Sequence, residues 1–132
     1  MLMLAMGTGI VIFGHGSSVP SANDAVRAVA RAAAAAGEWQ FAEVAFLEAQ
    51  PSLEEAVSSL TARGVQRVLI VPYFLTLGIH LQRDLPGMVA RLADAHEGVR
   101  IRVAPPLDGH PALAQILLDR AHAAVQPDFW DA

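Results

Sequence analysis

At 132 residues, 54% of them hydrophobic and 17% charged, the chain is sized for one domain with a real core and is too apolar for disorder. Its net charge of −4 without a block of basic residues disfavours a nucleic-acid surface, and having no cysteine it has no disulfide, thiolate metal site or cysteine nucleophile. Any chemistry therefore rests on His, Asp, Glu, Ser and Arg.

The N-terminal MLMLAMGTG lacks the basic flank and cleavage site of a signal peptide, which predicts a cytoplasmic protein, with residues 1–8 as a loose end. GIVIF (9–13) is a first strand, and GHGSS after it holds His15 between two glycines. Ser21 to Asp24 has the S-x-x-D form of a helix start, and Val26, Val29, Ala30 and Ala33 share one face before Gly37. AEVAFL (42–47) is a second strand, followed by Glu48. Ser52 to Glu55 repeats the capping pattern, with Leu53, Ala56, Val57 and Leu60 inward and Gly64 as the stop.

RVLIVPYF (67–74) is a third strand. The apolar run Val68–Ile79 around it contains a proline and a glycine and is shorter than the roughly 20 residues a bilayer requires, so no membrane span is expected. LTLGIHLQRD then brings His80 and Arg83, and Leu85, Met88, Val89 and Leu92 form a third helical stripe closed by Gly98. IRVA (101–104) is a fourth strand, followed by PPLDGHP with His110 and a stripe through Leu113, Ile116, Leu117 and Ala121. The tail from Gln126, QPDFWDA, is either loose over 127–132 or packs Phe129 and Trp130 on a partner.

The order βαβαβαβα with short connections predicts a doubly wound α/β domain, three layers around a parallel sheet of four strands, with right-handed crossovers covering both faces. Ligands of such sheets collect beyond the carboxyl ends of the strands, near the reversal of strand order. His15, Glu48, His80 and Arg83, and His110 all follow strands and so share that edge. Two neutral imidazoles and a carboxylate suit a divalent Fe, Co, Ni or Zn ion and leave coordination positions open for a substrate.

Plainer roles exist for each. A histidine in a glycine turn can simply hydrogen-bond its loop, Glu48 can be a solvated acid, and His110 before Pro111 suits a helix start. His96 and His122 lie on helices away from the edge. Neither a G-x-S-x-G elbow nor a P-loop nor a dinucleotide glycine fingerprint is present, and a phosphohistidine phosphatase would have arginine where Gly14 stands.

GHGSS after the first strand, AFLEAQPSLEEAV after the second, VPYFLTLGIHLQRDLP after the third and the later PPLDGHPAL together resemble the small sirohydrochlorin chelatases of the CbiX and SirB type. The resemblance runs from about Gly9 to Arg120 and rests on the ordered set of motifs. It implies insertion of cobalt or iron, with nickel as a further candidate, into a tetrapyrrole, with the metal as substrate and no organic cofactor. It carries the family's metal-binding and catalytic histidines to His15 and His80 and its acidic partner to Glu48, since Phe46, Glu48 and Pro51 match the F-x-E-x-x-x-P context. It also implies a homodimer with the tetrapyrrole between two copies, because longer members carry two halves on one chain. Ser18 stands where the family often has arginine. For the substrate's carboxylates, helix N-termini, Ser17, Ser18 and Arg83 are the donors at hand. A non-catalytic carrier of metal or tetrapyrrole using the same edge is the rival reading.

Overall fold

A strand buried on both faces reads as an unbroken apolar run, and GIVIF (9–13), which has that property, takes one of the two inner positions of the sheet. The computed structural model describes residues 7–131, so the expected loose ends at 1–6 and 132 lie outside the described residues. The elements are β1 (Thr8–Gly14), α1 (Pro20–Gly37), β2 (Phe41–Phe46), α2 (Leu53–Ala62), β3 (Arg67–Tyr73), α3 (Ile79–Ala95), β4 (Arg100–Val103), α4 (Ala112–Ala124) and α5 (Pro127–Asp131). All four strands are parallel, in the order β2-β1-β3-β4. Thr8, expected to be loose, instead starts β1, and the Gly7 carbonyl accepts from the Gln66 and Arg67 amides.

Strand alternation divides the core. Val11, Phe13, Val68, Ile70 and Ile101 face α2 and α3, where they meet Leu53, Val57, Leu60, Leu85 and Leu92. Ile10 and Ile12, with the half-buried Val44, Leu69 and Val71, belong to the face that α1 covers through Ala30. The reversal of strand order falls between β1 and β3: the chain leaves β1 for α1 on one face and leaves β3 for α3 on the other. Their loops part and open a crevice at the carboxyl rim.

The helix starts differ in kind. Ser52 caps α2 through a complete capping box with Glu55, as the sequence predicts. By contrast α1 begins one residue ahead of the expected Ser21, on Pro20, with no side-chain cap, because proline's fixed φ already suits a first helical turn. Val29 departs from the expected inward face and is 47% exposed, being one helical step of about 100° from the buried Ala30.

The larger departure is α4. None of its residues is buried, and Ile116, Leu117 and Leu118 stand exposed. Coverage of both sheet faces is therefore incomplete: α4 does not return over β3 and β4 on the α1 side. Residues 127–131, expected to be loose, form the short α5 against α4, with Phe129 and Trp130 edge to face and both exposed.

Candidate metal site at the carboxyl rim

His15 and Glu48 meet because the β1–β2 pairing continues past both strand ends. The Leu47 amide donates to the Gly14 carbonyl (2.9 Å) and the Glu48 amide to the His15 carbonyl (2.8 Å). The two loops thus lie side by side, and His15 Nε2 stands 3.6 Å from Glu48 Oε2. Gly16 permits this approach. Its φ is +86°, and a Cβ there would fall 2.9 Å from Phe46 Cβ and 3.0 Å from Ala49 Cβ.

The ring of His15 is oriented by its neighbours. Nδ1 lies 3.0 Å from the Gly16 carbonyl oxygen, which can only accept, so in the neutral ring Nδ1 carries the proton and Nε2 keeps its lone pair. That lone pair shares its side of the ring with a carboxylate. An arrangement of two acceptors is stabilised by a cation between them. Metal–ligand bonds of about 2.1 Å at a tetrahedral angle separate the two donor atoms by about 3.4 Å, close to the separation found. Phe74 meets the ring edge to face at 6.5 Å.

The glycine-rich loop is clamped from behind. Asn23, the buried polar residue of α1, accepts from the Ser17 amide and donates to the Ser17 carbonyl, both at 2.9 Å. The S-x-x-D pattern of Ser21–Asp24 assigns this stretch to a helix start and does not show the clamp. A signal was present, since Asn23 shares its helical face with Val26 and Ala30, and a polar residue on an inward stripe needs a partner. On the other side Arg27 stacks on the Phe46 ring at 5.3 Å and donates to the Gln50 carbonyl, tying the Glu48 loop to α1.

His80 is in the first turn of α3, on the same rim across the crevice, but its ring is engaged elsewhere. Arg83 Nη2 donates to His80 Nδ1 (3.2 Å), while Arg83 Nε donates to Asp84 (3.2 Å). Among the described residues no three His, Asp or Glu side chains are close enough to hold a metal ion. Two of the three expected ligands are thus together and the third is apart. The site is open to water: the His15 and Glu48 side chains are 58% and 64% exposed, and His80 is exposed.

Ser17 Oγ accepts from the Val19 amide (3.0 Å) and still has a proton to donate, and Ser18 is exposed. Both α1 and α3 start without a side-chain cap; in α1 Pro20 has no N–H and the Ala22 amide donates to the Val19 carbonyl (3.1 Å), so the Ser21 amide and the first turn of α3 are what remain for an anion. Two of the three remaining histidines have structural partners. His110 Nδ1 accepts from the Ala112 amide (3.0 Å) at the start of α4, and His96 links α3 to Ser58 and Thr61 of α2. Among the described residues no helix is long and apolar enough to cross a membrane.

Residues 9–124 match the family model described as CbiX. The sirohydrochlorin cobaltochelatase of Methanopyrus kandleri is 30% identical over 137 residues, covering 88% of this chain and 96% of that protein. Among solved structures, a putative cobalamin (vitamin B12) biosynthesis CbiX protein from Marinobacter aquaeolei VT8 superposes with a TM-score of 0.79 at 32% identity, covering 89% of this chain and 97% of that one. The sirohydrochlorin chelatase SirB from Bacillus subtilis subspecies spizizenii, in complex with cobalt, gives a TM-score of 0.83 at 25% identity, covering 89% of this chain but 51% of SirB. This chain therefore spans about half the length of SirB and nearly all of the other two.

Proposed function

Because the chain belongs to the CbiX family, whose model spans residues 9–124, we propose that it is a sirohydrochlorin-type chelatase that inserts divalent cobalt or iron into the tetrapyrrole at the rim between β1 and β3. The observation that carries this reading is the oriented pair of His15 Nε2 and Glu48, 3.6 Å apart beside the crevice.

Insertion exchanges two pyrrole N–H protons for M²⁺. The ion must be held, then given up, and the two protons must have somewhere to go. His15 and Glu48 take the incoming ion with water filling the other positions, a donor set that iron, cobalt and nickel all accept. So few protein ligands leave coordination positions for the pyrrole nitrogens. As the metal moves onto those nitrogens, Glu48 and the released imidazole are the proton acceptors within reach.

His80 is the third ligand in this reading, and Arg83 governs its availability. A substrate carboxylate that draws the Arg83 guanidinium away from His80 Nδ1 frees the imidazole for the metal, so tetrapyrrole binding precedes full coordination. Ser17, Ser18, the Ser21 amide and the uncapped first turn of α3 take other carboxylates of the substrate. The open rim supplies only one wall for a macrocycle, and a second copy of the chain supplies the other, in keeping with its half-length match to SirB. A cytoplasmic location is part of the same reading.

Turnover distinguishes a chelatase from a carrier. Purified chain supplied with excess sirohydrochlorin and Co²⁺, Fe²⁺ or Ni²⁺ in turn is expected to produce many equivalents of metallated product per chain, followed by visible absorbance. Product that stops at one equivalent, with metal and tetrapyrrole retained on the protein, would establish the carrier instead.

A further inference from the structure

Glu48 sets a problem for a histidine that must present a lone pair. A neutral imidazole carries one proton, and a carboxylate is a better acceptor for it than a carbonyl, charge-assisted hydrogen bonds being roughly twice as strong as neutral ones. Left to themselves, His15 and Glu48 would settle with the proton on Nε2 between them, and an incoming ion would find no lone pair there. The structure has the opposite arrangement. Nε2 stands 3.6 Å from Glu48 Oε2, too far for a hydrogen bond, while Nδ1 lies 3.0 Å from the Gly16 carbonyl oxygen.

That carbonyl is held from the other end of its own peptide. The Gly16 C=O and the Ser17 N–H belong to one planar trans unit and point in opposite directions. The first accepts from His15 Nδ1, and the second donates to Asn23 Oδ1 at 2.9 Å. Asn23 Nδ2 donates back to the Ser17 carbonyl, also at 2.9 Å, so only one orientation of this amide satisfies both contacts. Asn23 is buried and sits on a helix of 18 residues, which makes it a firm anchor. The peptide is less firm: Gly16, at φ +86°, lacks the Cβ that would oppose rotation of the unit. Once rotated, the Ser17 N–H faces the ring, Nδ1 has to accept, and the proton moves to Nε2 beside Glu48.

We propose that Asn23 is a positioning residue for the metal site: by holding the Gly16–Ser17 peptide it keeps the His15 proton on Nδ1 and leaves the Nε2 lone pair to the ion. This role rests on the reading of His15 as a metal ligand. It extends by one link the usual pattern in which a ligating histidine donates its other ring N–H to a carbonyl.

The proton is located by ¹⁵N NMR of the ring nitrogens in the metal-free protein, above the ordinary imidazole titration range, with the His15 signals identified by their loss in His15→Ala. Asn23→Leu removes donor and acceptor at similar volume, whereas Asn23→Asp keeps the acceptor for the Ser17 amide. The unaltered protein and Asn23→Asp are expected to carry the proton on Nδ1, and Asn23→Leu mostly on Nε2. With about a tenth of the rings left in the binding form, calorimetry should show Co²⁺ affinity about tenfold weaker in Asn23→Leu. In the insertion assay KM for Co²⁺ should rise by the same factor with kcat nearly unchanged. A residue that only packs the loop would lower the melting temperature of both variants and leave the proton on Nδ1 in each. That result would overturn the proposal, as would a proton on Nε2 in the unaltered protein or in Asn23→Asp, which decide the question even if Asn23→Leu does not fold. Because the proton is read without metal or tetrapyrrole, the chelatase reading fails separately: absent turnover beside the expected proton shift would overturn that reading and leave the role of Asn23 in place.

Discussion

His15→Ala is expected to slow metal insertion roughly 100-fold or more, since even the outer partners of metal ligands typically contribute 10–100-fold, and to leave the fold intact. The side chain is 58% exposed and its contacts are polar or edge-on, so its removal opens no cavity. Unfolding free energy should stay within about 0.5 kcal/mol, the usual range for surface substitutions away from special features. The physical loss is specific: without the Nε2 lone pair, Glu48 alone holds the ion, and a single exposed carboxylate competes poorly with water. Visible-absorbance insertion assays and thermal melts on the same preparation separate the two effects. An unimpaired rate would remove His15 from the chemistry.

Gly16→Ala should impair both stability and insertion. A left-handed backbone costs a residue with a Cβ about 1–2 kcal/mol, and at Gly16 the new methyl also meets Phe46 Cβ at 2.9 Å and Ala49 Cβ at 3.0 Å. Neither neighbour has a flexible end to move, and Phe46 is buried. Relief must come from the loops themselves, which part and carry His15 away from Glu48. The combined cost is about 2–3 kcal/mol, read as a lower urea midpoint, together with roughly tenfold slower insertion, the order of effect expected when reacting groups shift by a fraction of an ångström. Gly64→Ala is the control. Its φ is +92° but nothing lies within 4 Å of its added Cβ, so it should lose stability by the backbone cost alone and insert metal normally. Equal behaviour of the two variants would show that the close approach at Gly16 does not position the site.

The parts of this molecule that were legible in its sequence are those governed by local patterns. The unbroken run GIVIF marks the first strand, the Ser52–Glu55 box marks the start of α2, and residues after strand ends mark the rim, because strand patterning and capping act over a few positions. Three features were not legible. Helical spacing in α4 announces a face to be buried without saying whose surface buries it, so coverage by its own sheet was the default expectation. Asn23 was read within a cap, although its inward position serves Ser17. The Arg83–His80 contact depends on side-chain choices within one helical turn, where Arg83 could equally face solvent. The pairing of His15 with Glu48, by contrast, follows from the register of β1 on β2 once both strands are placed.

Diffraction data collected at the cobalt absorption edge, from crystals soaked with Co²⁺ and sirohydrochlorin, test the convergence of these side chains most directly. The expected result is an anomalous peak about 2.0–2.2 Å from His15 Nε2 and a Glu48 carboxylate oxygen, with His80 released from Arg83 and turned toward the ion. Cobalt bound elsewhere on the molecule, with His15 and Glu48 left to solvent, would contradict the account.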